Sequence, residues 1–237
     1  MTIAETQLQP PITVDDFARI HGVIRTVLGG ADVSAEDLSK SCIFFAIAGA
    51  YLLERKHGLA ATPVAGAAFI AVSEGPNSLD VLAYAKRDGM NGPWCSDVDA
   101  FHAWVEVTAA DGQAWVVDFT SPLYADAMRK HRSAARPPFK AFVRPVNDMI
   151  DHPDSLQDSG VIGDFFLQGS KEHTLHMLQQ SSNSLQLGDL IGIIDHWYVP
   201  APGLMQEELV MGSNDGSARK LRFRQPKLSG SWETAGR

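Results

Sequence analysis

Cys42, His102 and Asp118 are residue types that together carry out nucleophilic acyl transfer. That chemistry needs a sulfur that can ionise, a base to take its proton, and a carboxylate to hold the base in one tautomer. His102 and Asp118 lie near the two ends of one short segment, FHAWVEVTAADGQAWVVDF, from Phe101 to Phe119. A pairing of His102 with Asp118 requires that both side chains leave the same face of whatever this segment forms.

The segment reads as a β-hairpin. Ala110-Asp111-Gly112 makes a three-residue loop with Gly112 in the left-handed position that such loops favour. Ala109 then faces Gln113, and Trp104 faces Asp118. Side chains alternate along each strand, so one face carries His102, Trp104, Glu106, Ala114, Val116 and Asp118. The other carries Phe101, Ala103, Val105, Val107, Trp115, Val117 and Phe119, all apolar, and is expected against the core. Asp118 sits diagonally from His102, roughly 7–8 Å away at the backbone. Two side chains close that gap. A loop one residue shorter or longer would put them on opposite faces.

Cys42 opens an apolar helix, SKSCIFFAIAGAYLLERKHG. Helix N-termini favour anions through the dipole and the unpaired N–H groups, and a neighbouring imidazolium favours thiolate further. The Cys42 N–H can also serve an oxyanion hole. From Ile43 to Leu53 every residue is apolar, Gly or Tyr, so the helix is expected to be buried all round. Gly58 supplies its left-handed stop.

Other elements must hold these three residues in place. Residues 1–12 read as a loose arm. Thr13 and Asp16 have capping-box character before a helix from about Val14 to Leu28, which Gly29-Gly30 ends. Ser34 and Asp37 repeat the pattern for a short turn. Val64–Val72 and Leu79–Ala85 read as strands, and Lys86–Asp99 as a Gly/Pro/Asn-rich loop that walls the cleft. Tyr124–Arg132 reads as a short helix, Phe139–Arg144 and Val161–Leu167 as strands, and Leu175–Gln180 and Leu190–Trp197 as helices. Glu207–Met211 and Lys220–Arg224 form a second hairpin around Asn214-Asp215-Gly216. The economical organisation is a single α+β domain over 1–237, with residues 38–122 as the catalytic core.

The bulk composition narrows the partners. The chain has 237 residues, 45% apolar and 20% charged, which suits an ordinary globular domain. A net charge of −8, with KLRFRQPK (Lys220 to Lys227) the one basic cluster, argues against a nucleic-acid partner. No apolar run approaches ~18 residues, so no membrane span is expected. The N-terminus lacks the basic and apolar regions of a signal peptide, and two cysteines build no disulfide framework. A cytoplasmic setting is the expectation. Gly-rich phosphate loops are absent, and nothing calls for a cofactor.

The residues also resemble a known family. LLERKHGLAATPVAGAAFIAV after Cys42 is similar to the helix end and first strand of transglutaminase-like proteins, and HAWVEV…DGQAWVVDFTSP to their His-strand, turn and Asp-strand. The wider resemblance is to the papain-like cysteine-protease fold. It implies N-terminal helices packed on an antiparallel sheet or partly open barrel. It also implies Cys42 as nucleophile, His102 as base, Asp118 as its orienting acid, and a peptide, amide or acyl substrate. The resemblance supplies no upstream side-chain oxyanion donor; Ser39, Ser41, Trp94 and Trp104 are the candidates.

Blander readings stand beside these. The fold can bind a peptide without chemistry. Cys42, His102 and Asp118 are acceptable zinc ligands, though no CxxC or HExxH accompanies them. Cys95 reads as a loop thiol before a second nucleophile or a disulfide partner for Cys42. His173 and His176 at i and i+3 read as a solvated face before a metal pair, and Glu106 as a solvated strand position.

Overall fold

The computed structural model describes residues 8–31, 41–74, 79–89, 92–129, 141–158, 160–182, 185–198, 207–212 and 216–223. The turn expected at Ser34 and Asp37, and Ser39, lie outside these. Helix α1 (Val14–Gly30) starts at Thr13, whose Oγ1 accepts from the Asp16 N–H at 3.1 Å and donates to Asp16 Oδ2 at 2.7 Å. Ile12, just before the cap, is buried in the same core as Phe17, the pairing of a hydrophobic staple. The end of the expected loose arm is therefore pinned. Gly29 and Gly30 do not stop the helix, which runs through both to a cap at Ala31. Gly30 answers a packing need instead: a Cβ there would lie 2.1 Å from Cδ1 of Phe223.

Helix α2 (Cys42–His57) ends as expected at Gly58, φ +66°, whose N–H returns to the Glu54 and Leu53 carbonyls. No residue from Cys42 to Leu53 is exposed. Gly49 lets the helix backbone settle on the ring of Phe119, where a Cβ would come within 2.3 Å. That contact sets the height of the cysteine-bearing helix over the strand that carries Asp118.

Strand β1 (Ala60–Glu74) is the spine of a curled antiparallel sheet. It pairs with β5 (His102–Thr108) along residues 60–66 and with β2 (Leu79–Tyr84) along 68–74. Its middle, 66–70, pairs with β8 (Phe165–Gly169). β6 (Ala114–Asp118) follows β5, and β7 (Phe142–Pro145) follows β6. Between β2 and β5 the chain makes the excursion expected at 86–99. There β3 (Lys86–Arg87) and β4 (Trp94–Cys95) pair as a minimal ribbon. The strand expected at Val161–Leu167 starts later, because Gly163 (φ +101°) and the Asp164 side chain, accepting from the Val161 N–H, build a turn.

Both faces of the sheet are covered. The apolar hairpin face packs on α1, α2 and α6 (Leu185–Trp197), with the ribbon of β9 (Glu208–Gly212) and β10 (Ala218–Arg222) closing that side through Leu221. The other face holds Trp104, Val116, Phe142, Phe165 and Leu167. It is capped by Tyr124 and Met128 of α3 (Tyr124–Arg129). α4 (Ser155–Asp158) and α5 (Lys171–Ser182) complete the chain order, α5 being longer than the expected Leu175–Gln180. The fold is α+β, as the sequence leads one to expect. No described helix is long and apolar enough to cross a membrane.

Candidate active site

The hairpin has the expected register. Val105 faces Val117 and Val107 faces Trp115, the Ala109 N–H meets the Gln113 carbonyl at 2.9 Å, and Gly112 sits at φ +83°. His102 is the first residue of β5 and Asp118 the last of β6. The odd loop therefore delivers both to one face, where His102 Nε2 and Asp118 Oδ2 are 2.8 Å apart. They are 3% and 2% exposed.

Asp118 is saturated with donors. Oδ2 accepts from His102 Nε2–H and from the Tyr124 hydroxyl. Oδ1 accepts from the Thr120 N–H at 2.8 Å and from the Thr120 hydroxyl. Burial pushes the carboxyl toward its neutral form, but the His102 charge and these hydrogen bonds prevail and hold it below the usual carboxylate range. A carboxylate with four donors has no lone pair left for a metal. Among the described residues no three His, Cys, Asp or Glu side chains are disposed to hold one.

His102 is held from several sides. Nε2 belongs to Asp118, which leaves Nδ1 as the other ring nitrogen, and Cys42 is the next group to act on the imidazole. Burial works against a charged imidazole. The Asp118 charge and hydrogen bond, then those of Cys42, outweigh it and push His102 up to about 10. Tyr84, the last residue of β2, stacks on the ring with centroids 4.8 Å apart and planes at 21°. Cys42 itself is 6% exposed and begins α2. The first intrahelical bond is Phe45 N–H to the Ser41 carbonyl, so the Cys42 N–H precedes the ladder and points out of the helix end.

His21 of α1 braces the arrangement from behind. Its ring lies against Phe45 of α2, centroids 5.5 Å apart, and its Nδ1–H donates to the Phe119 carbonyl at 2.7 Å. It therefore ties the cysteine helix to the residue after Asp118. Burial lowers its pKa to about 4, against the opposing bond to Phe119. A folded value below the unfolded 6.5 means that the unfolded chain binds the extra proton, so this contribution to stability falls as pH drops from 6.5 to 4. At about 1.4 kcal/mol per unit the loss is about 3 kcal/mol. Comparing urea unfolding of wild type and His21→Phe from pH 7 to pH 4 is expected to show the gap between them narrowing by about that amount.

The two tryptophan candidates are not brought to the thiol. Trp94 packs on Phe69 in a separate cluster, and its Nε1–H goes to Asp154 Oδ1 at 3.2 Å, which rules it out as an oxyanion donor. Trp104 is core, with Nε1 turned toward Glu106 Oε1 at 3.4 Å. Glu106 is exposed. Ser41 stands at the N-cap beside Cys42 without a side-chain cap bond. Cys95 is an exposed free thiol and Cys42 a buried one, so no disulfide joins them. His176 bonds Gln180 and His173 lies against Phe101.

Tyr84, Thr120, Tyr124 and His21 were not legible as site residues. Only Thr120 had a local signal, as the residue two beyond an Asp, where an Asx-type turn forms.

The sequence matches a protein family of unknown function, DUF2026, over residues 13–232. A crystal structure described as genomics APC5867 is similar, with a TM-score of 0.67 and 26% identity, over 96% of this chain and 100% of that one. No curated protein matches the sequence.

Proposed function

We propose that this chain, which belongs to the DUF2026 family, is a cysteine-dependent hydrolase or acyltransferase acting on an amide, ester or thioester. One observation carries the reading: a buried His102 tied at Nε2 to Asp118, on a strand packed against the helix that Cys42 opens. The thiol proton passes to His102 Nδ1, and Sγ attacks the carbonyl carbon. An S–C bond forms while the carbonyl π pair moves onto oxygen, toward the Cys42 N–H. Collapse breaks the bond to the leaving nitrogen, oxygen or sulfur, which takes the proton from His102. Water or an amine then attacks the thioester and gives its proton to His102. The S–C bond breaks, and the sulfur recovers the proton. The matching fold reading is a transglutaminase-like branch of the papain-like fold. It is supported by the Cys-His-Asp order and by a cysteine-opened helix packed on the His–Asp hairpin.

The test is iodoacetamide alkylation followed by mass spectrometry, with Cys95 as the internal reference. Cys42 is expected to outpace Cys95 at pH 7 by about tenfold despite its burial, because His102 is placed to take the proton of its thiol. His102→Ala is expected to erase that lead. A second reading, a peptide-binding member of the fold without chemistry, is favoured by the near-closure of the site, with Cys42 6% exposed. Cys42 left unalkylated at every pH while Cys95 reacts would support it.

A further inference from the structure

Two tyrosines touch His102, and they use their hydroxyls differently. Tyr124 is buried and gives its O–H to Asp118. Tyr84 is only half-buried, and its hydroxyl makes no hydrogen bond to any described residue. Its place follows from the sheet. Tyr84 pairs with Ala68 and His102 with Gly66, two residues apart on β1. The chain leaves the sheet after Tyr84 and rejoins it at His102, so the two rings meet face to face at the mouth of the excursion.

We infer that Tyr84 is a catalytic residue of the acyl transfer proposed above, its hydroxyl donating a hydrogen bond to the substrate's acyl oxygen as negative charge develops there. The geometry suits the task. A ring stacked on the imidazole lies beside the base that serves the sulfur. The hydroxyl is unspent among the described residues. Among the described residues the Cys42 N–H is a backbone donor at the site, and the sequence candidates Trp94 and Trp104 are committed elsewhere. Burial first, then the fields of Asp118 and Cys42, hold the phenol well above the usual tyrosine range. It stays neutral and keeps its proton to donate.

The inference rests on the proposed function, and one pair of probes separates the two. p-Nitrophenyl acetate acylates a nucleophilic thiol through a tetrahedral oxyanion; iodoacetamide alkylates it by displacement at carbon, with none. Tyr84→Phe keeps the ring and its stack on His102 while removing the donor. Acetylation of Cys42, followed by nitrophenolate release and by mass, is expected to slow about 10²-fold, the cost of one oxyanion donor. The alkylation rate and its pH profile, and the urea midpoint, are expected to stay at wild-type values. Tyr84→Leu, which also uncovers His102, is expected to disturb both reactions. Equal loss of acetylation and alkylation in Tyr84→Phe would reduce Tyr84 to a positioning role through His102 and overturn the inference, as would unchanged acetylation. Wild-type Cys42 that is alkylated but never acetylated would instead overturn the acyl-transfer reading, and the inference with it.

Discussion

Asp118→Asn is expected to slow acetylation of Cys42 by p-nitrophenyl acetate about 10³–10⁴-fold, the scale of losing the orienting acid of such a triad. It is also expected to lower stability by about 3 kcal/mol. The reason lies in the donor count. Each carboxylate oxygen accepts two hydrogen bonds, Oδ2 from His102 and Tyr124, Oδ1 from the Thr120 N–H and hydroxyl. An amide presents one oxygen and one NH₂. With its oxygen toward His102 it aims donors at the Thr120 N–H; flipped, it aims them at His102 Nε2–H. Either way a buried donor faces a donor. Only Cys42 then offsets the burial that disfavours a charged His102. Thr120→Ala removes one hydroxyl and leaves both oxygens accepting, so its cost is expected to be about 1 kcal/mol. Urea unfolding and the acetylation rate together check the pair of variants.

The same substitution exposes the pH behaviour of the ion pair. His102 has a folded pKa raised above 6.5, so its contribution is full below 6.5 and is lost as pH rises through about 10. Asp118 has a folded value below 3.8, so its contribution is full above 3.8 and is lost as pH falls through that lower value. The pair contributes most between about pH 4 and 6.5, the window in which His21 works the other way. Two buried histidines thus pull the acid limb and the alkaline limb in opposite senses. They differ because one faces a carboxylate and the other a carbonyl.

How far the sequence reveals this arrangement depends on the range of the interactions. Loop parity is local: Ala110-Asp111-Gly112 fixes the register, and the register fixes which side chains share a face. His102 and Asp118 could therefore be paired from sequence alone. The start of α2 is also local, since a run of apolar residues ending in a basic turn and Gly58 has one reading. Tyr84 and Tyr124 come from β2 and α3, and their meeting at His102 depends on long-range pairing along β1 that no periodicity encodes. Glycine was the most ambiguous signal. Gly58 and Gly112 are turn glycines, but Gly30 and Gly49 exist for close contact with Phe223 and Phe119, and a sequence does not distinguish the two uses. The same ambiguity made Gly29-Gly30 look like a stop.

Gly66 is the contact glycine with the most at stake. It pairs with His102 on β5 and with Gly169 on β8, at the point where both strands meet β1. A Cβ there would lie 2.1 Å from the Gln168 carbonyl oxygen and 2.8 Å from Gly169 Cα. These are backbone atoms, so no rotamer change relieves the clash. β8 must move off β1, or β1 must shift against β5. Gly66→Ala is expected to cost about 3 kcal/mol, the upper range of overpacking. It is also expected to depress Cys42 acetylation beyond what unfolding explains, because any shift of β1 carries the backbone partner of His102 with it. Gly29→Ala is the matched control. It lies in α1 with nothing within 4 Å of the added carbon, and is expected to stabilise the helix by about 0.5–1 kcal/mol with acetylation unchanged. If Gly66→Ala kept the wild-type urea midpoint, the tight seam between β1 and β8 would be wrong. If it lost stability but kept full acetylation in the folded fraction, His102 would be held by Asp118 and the tyrosines without help from β1.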